Sequence, residues 1–143
     1  MKSIIGTALL AVALVWVGQR PALAQAAPAC QDDEEMTKST LKDLGDLVGA
    51  VKKESLGDFE KSYHQKAFLS KAGFGVTVVD GLVNCLDKAA QDSAATKEQV
   101  EAEKAKRASY AKLKDRIDQT RTVVKSAEQK DAKSQIEKLD LSV

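Results

Sequence analysis

Three stretches of this chain carry apolar residues at alternating steps of three and four, and that rhythm constrains the fold more than any other feature. In the first stretch they are Leu41, Leu44, Val48 and Val51. In the second they are Leu69, Ala72, Val76, Val79, Val83 and Leu86, and in the third Tyr110, Leu113, Ile117, Thr120, Val124 and Ala127. At about 100° per residue such steps return to one helix face, whereas a strand alternates every second residue. Heptad-like seams pack in shallow-angle rows. The spacing therefore predicts an all-α fold: an antiparallel bundle of three long helices.

Local signals set the expected boundaries. Met36 and Leu47 widen the first stripe, Gly57 reads as a stop and Asp58 as a restart. Phe59 and Tyr63 then open the second helix, about 80–120° away from its seam. Gly73 and Gly75 each cost about 1 kcal/mol against Ala inside a helix, so a kink is expected near Gly73–Gly75. A full break there would give a four-helix bundle, the alternative architecture. Thr96 stands three residues before Gln99, the capping-box pattern that opens the third helix. Its seam continues backward only through Glu103 and Lys106, so the first third projects beyond the bundle, supported by Glu103 and Arg107 at i,i+4. After Ala127 the phase slips. Ala132, Ile136 and Leu139 then form a short C-terminal helix beyond a break near Gln129–Asp131.

The N-terminus reads as an address. Lys2 precedes fourteen apolar residues from Ile4 to Val17, followed by polar residues and then Ala22-Leu23-Ala24. This is the pattern of a cleaved secretory signal. Fourteen residues rise about 21 Å as a helix, short of the roughly 30 Å hydrocarbon core, so no stable membrane span is expected after cleavage. The expected organisation is a signal peptide at 1–24, an acidic flexible arm at 25–35 and a single helical domain at 36–143. The expected localisation is the periplasm or the extracellular space. The run Asp32-Asp33-Glu34-Glu35 suits the positive end of a following helix and lacks the spaced acids and central Gly of a calcium loop.

Cys30 and Cys85 are the only cysteines, and in an exported chain they most simply form one disulfide bond. Geometry points the same way. Cys30 lies 27 residues before Gly57 and Cys85 lies 28 after it, so in an antiparallel hairpin both sulfurs reach one level, about 40 Å from the turn.

Chemistry is harder to find. Lys+Arg 22 against Asp+Glu 21 gives no global field for nucleic acid. The bases of the third helix alternate with acids, as on a solvated face. His64 is the only histidine, and no Glu has a His three residues later, so a carboxylate-bridged metal bundle is not expected. Lys71-Ala72-Gly73-Phe74-Gly75 lacks the phosphate-loop spacing. No catalytic, cofactor-binding or metal-binding residues are expected, and no cofactor. Phe59, Tyr63, Phe68 and Phe74 gather in one short stretch, as the top of the core or as a patch for a partner. In the bundle they share an end with Ile136 and Leu139, so either the final helix or a partner covers them. The expected function is that of an exported, non-enzymatic helical protein, acting through protein–protein interaction or self-association or as a structural envelope component. The alternative is a carrier or sensor of a small ligand or metal within the bundle.

Overall fold

The computed structural model describes residues 30–143. The signal-peptide reading and the first part of the arm lie outside the described residues. Among those described, five helices form in the order α1 (Gln31–Lys53), α2 (Leu56–Lys61), α3 (His64–Ala89), α4 (Lys97–Ser126) and α5 (Gln129–Glu137). The fold is an all-α bundle of long antiparallel helices with a short C-terminal helix.

Helix α1 begins earlier than expected, so residues 31–35 of the acidic arm are helical. Two causes are visible. Cys30, left-handed at φ 70°, is tied to α3 through its sulfur, and Asp32, Asp33 and Glu34 fill the first turn, where negative charge opposes the exposed N–H dipoles. Met36 is 48% exposed rather than part of the stripe. Thr37 takes that place, fully buried, and carries the seam of Leu41, Leu44, Val48 and Val51 one step further back.

The first corner also differs. Gly57 neither ends α1 nor precedes a restart at Asp58; it lies inside α2. Ser55 caps that short helix, its hydroxyl oxygen accepting from the Asp58 backbone N–H at 3.2 Å and its O–H donating to Asp58 Oδ2 at 2.7 Å. Phe59 therefore belongs to α2, and α3 starts only at His64.

Helix α3 runs without interruption through Gly73 and Gly75, so the split that would make a fourth long helix does not occur. Neither glycine has a positive φ. Burial of Phe68, Ala72, Val79, Leu82 and Leu86 outweighs about 1 kcal/mol of lost propensity at each glycine. Gly73 has its own packing reason: a Cβ there would stand 3.2 Å from Nε of Arg121, which reaches over from α4.

Helix α4 opens on the full capping box. The Thr96 N–H donates to Gln99 Oε1 at 2.8 Å, and the Gln99 N–H donates to Thr96 Oγ1 at 3.2 Å. Its early residues are mostly exposed. Arg107 pairs with Asp87 of α3 at 2.7 Å instead of supporting Glu103 along the helix, because α3 brings a carboxylate within reach. The break before α5 falls at 127–128, slightly ahead of Gln129–Asp131.

Helix α3 is central, packed on α1 at one side and α4 at the other, while α5 touches all four other helices. One hydrophobic core joins Leu44, Val48, Val51, Phe59, Phe68, Leu82, Leu86, Leu113, Ile117, Val124 and Ile136. α5 and the residues after it close the end of the bundle that holds the first corner. Ala132 and Ile136 are fully buried there, Leu139 nearly so, and Arg116 of α4 holds Asp140 at 3.2 Å and donates to the Ser142 carbonyl.

Candidate interaction surface

The four aromatics of the expected patch do not form one surface. Phe59 and Phe68 are completely buried, Phe59 among the core residues that α5 helps to enclose. Tyr63 is 78% exposed at the first corner, with Lys66 Nζ 5.9 Å from its ring centroid, a cation–π distance. Phe74 is 58% exposed and lies about 16 Å further along the axis of α3. The helical wheel explains the separation: Phe74 stands about 120° round from Phe68, so a helix that buries one presents the other.

Phe74 forms one side of a groove of about 230 Å³ between α1 and α3, with Thr40, Asp43, Ser70 and Lys71 as the other lining residues. Lys71 Nζ and Asp43 Oδ2 approach to 3.9 Å across it. A larger depression of about 470 Å³ on α4 is lined by Ser109, Lys112, Asp115, Arg116, Gln119, Ser142 and Val143. It is a solvent-facing trough whose lining side chains, apart from Val143, end in polar or charged groups.

His64 sits at the start of α3, with Nδ1 2.8 Å from Oε1 of Glu54 at the end of α1, off the line of a hydrogen bond. Three bases of α4 are held by acids of the neighbouring helices: Lys106 by Glu34 at 2.7 Å, Arg107 by Asp87 at 2.7 Å and Lys114 by Asp80 at 2.8 Å. The Lys114 ammonium donates to Asp80 and keeps that carboxyl below its ordinary value, while Lys114 is raised in turn. The hydrogen bond to Glu34 likewise raises Lys106, and burial raises Tyr110. Three of the nine bases of α4 thus face acids of α1 and α3.

Cys30 and Cys85 are bonded, with Cα atoms 5.8 Å apart, as the hairpin count requires. The bond joins the first turn of α1 to the last part of α3 and closes a loop across 55 positions. Such a pair belongs to oxidising surroundings. α3 is long and apolar enough to cross a membrane, at a mean hydropathy of 1.2, yet its Phe68, Ala72, Val79, Leu82 and Leu86 form the centre of this core.

Fold and surface together define a disulfide-stapled, all-α helical bundle with an exposed aromatic groove. Comparison with protein-family models, with curated proteins and with solved structures finds no match.

Proposed function

We propose that this is an exported, non-enzymatic protein that works by contact with a protein partner, as an interaction or structural component of the cell envelope or the secreted proteins. The observation that carries the reading is Phe74. It is a large aromatic, more than half exposed, set beside an ion pair in a groove between two helices that a disulfide holds in register. Rigid aromatic anchors with a polar rim are what protein contacts use. At about 230 Å³ the groove falls below the 300–1,000 Å³ usual for small-molecule sites. The sole histidine faces Glu54 at the corner. The disulfide and the N-terminal Lys2-to-Ala24 pattern support export.

The test places a photo-reactive amino acid at Phe74 and, as a control, at exposed Lys97, in the cell that makes the protein. A discrete adduct from position 74 alone is the expected result. Equal adducts from both positions, or none, refute a partner at this groove. Native mass spectrometry of the purified protein should show the bare chain beginning at Gln25; a retained small molecule would instead favour a ligand carrier.

A further inference from the structure

We infer that the end of the bundle closed by α5 is also a docking surface for a second copy of this chain, which enters it by exchanging α5 and the residues that follow. The present occupant already defines what the surface takes. Ala132 and Ile136 are fully buried there, Leu139 nearly so, and Arg116 of α4 holds Asp140 at 3.2 Å and donates to the Ser142 carbonyl. α5 touches α1, α2 and α3 as well as the helix it follows. An α5 that reaches this surface makes the same apolar and charged contacts whichever copy it belongs to.

The junction before α5 supplies the independent observation. α4 ends at Ser126 and α5 begins at Gln129, and two extended residues make the bend between them: Ala127 at φ −80°, ψ 149° and Glu128 at φ −65°, ψ 160°. The local sequence Ser126-Ala127-Glu128-Gln129-Lys130 holds neither Gly nor Pro, and Ala, Glu, Gln and Lys are among the strongest helix formers. No side chain among the described residues caps α5 at Glu128, whereas Ser55 caps α2 and Thr96 caps α4. The bend is therefore imposed by the burial of α5 and not by the residues that form it. Turning ψ of these two residues to helical values gives one helix from Lys97 to Glu137, about 60 Å long. It carries α5 about 15 Å past the end of its own bundle. Ala132, Ile136 and Leu139 are then exposed unless the vacated surface of a second copy takes them. Reciprocal exchange restores the contacts of α5 in both copies and adds a continuous helix at each junction. What opposes it is the lost freedom of association, so the dimer forms where copies are concentrated.

The test refolds the purified protein, disulfide intact, from urea at micromolar and at millimolar concentration, and reads its mass by light scattering after gel filtration. The concentrated sample should contain dimer and the dilute one monomer. Glu128→Pro suits the present bend, since φ there is already −65°, Ala127 before it is extended and the Glu128 N–H makes no backbone hydrogen bond among the described residues. It forbids the continuous helix, so the dimer fraction should fall at least tenfold while circular dichroism shows the monomer still folded. Ala127→Gly, which weakens the straight helix without fixing φ, should lower the dimer fraction too. Phe74→Ala should leave it unchanged, which separates the exchange from association through the groove between α1 and α3. In dimer refolded from a mixture of ordinary and isotope-labelled chains, a lysine cross-linker between α5 and α1 or α2 should join a labelled peptide to an unlabelled one. The inference is overturned if no dimer forms at millimolar concentration, or if Glu128→Pro and Ala127→Gly dimerise as wild type does. Cross-links from α5 that stay within single chains of the dimer overturn it as well, and so does loss of the dimer in Phe74→Ala.

Discussion

Replacing Ile136 by Ala tests whether α5 is a structural closure of the bundle or an appendage resting on it. Ile136 is fully buried in a helix of nine residues that contacts α1, α2, α3 and α4. The substitution removes three carbons, worth about 2.4 kcal/mol in transfer at ~0.8 kcal/mol each. The cavity left behind adds to this, and the total should come to ~3 kcal/mol, within the 2–5 kcal/mol range for such truncations. For a domain of this size that lowers the melting temperature by roughly 12 °C. The assay is urea unfolding followed by far-UV circular dichroism, since Trp16, the only tryptophan, belongs to the segment that the proposed cleavage after Ala24 removes. The slope with urea should stay that of wild type while the midpoint falls, and a hydrophobic dye should bind more strongly. Val123→Ala, at a position 46% exposed, should change stability by less than about 0.5 kcal/mol. A loss below ~1 kcal/mol for Ile136→Ala, with unchanged dye binding, would refute the closure.

Three further outcomes are expected. Cys30→Ser with Cys85→Ser opens a loop of 55 positions and should lower stability by ~4 kcal/mol in the chain-entropy account; an unchanged urea midpoint would show that the bond does not constrain the unfolded chain. Thr37→Val should stabilise the protein by about 1 kcal/mol, because the Thr37 hydroxyl is buried without a hydrogen-bond partner among the described residues and Val keeps its shape; destabilisation would mean the hydroxyl is satisfied after all. Asp80 should titrate below 3.8 by carbon NMR and return toward that value in Lys114→Met. As its folded pKa is the lower one, its contribution to stability is complete at neutral pH and disappears as acid takes the pH down through that folded value. A wild-type midpoint at or above 3.8 would contradict the pairing.

The seams of α1 and α4, the Thr96–Gln99 cap and the cysteine pairing were legible because each is a regular spacing, and spacing survives folding. The seam of α3 was legible only in part: Ala72, Val79, Val83 and Leu86 are buried but Leu69 and Val76 only half-buried, with Phe68 and Leu82 fully buried in the core. What the sequence hid depended on competition between signals. Gly57 looked like a stop, yet Ser55 three residues before Asp58 is a helix start, and that local hydrogen bond decides the corner. Hydrophobicity ranks Met36 above Thr37, whereas phase along the helix decides which of them is buried. The cluster Phe59, Tyr63, Phe68 and Phe74 looked unified only in one dimension. Once α2 and α3 separate at Ser62 and Tyr63, angular position sends Phe68 inward and Phe74 outward.

The sulfur bridge makes the two connections of this bundle unequal under proteolysis. Residues 54–63 lie inside the ring it closes, and the exposed loop at 90–96 lies outside it. A single cut in the first corner leaves a nicked molecule of two chains, still covalently joined, with both halves at high effective concentration for each other. The same cut at 90–96 leaves α4 and α5 attached by non-covalent contacts alone, so the first full opening of the core can release them into dilute solution. A protease that enters at the first corner therefore produces a scar, and one that enters at the second produces two fragments.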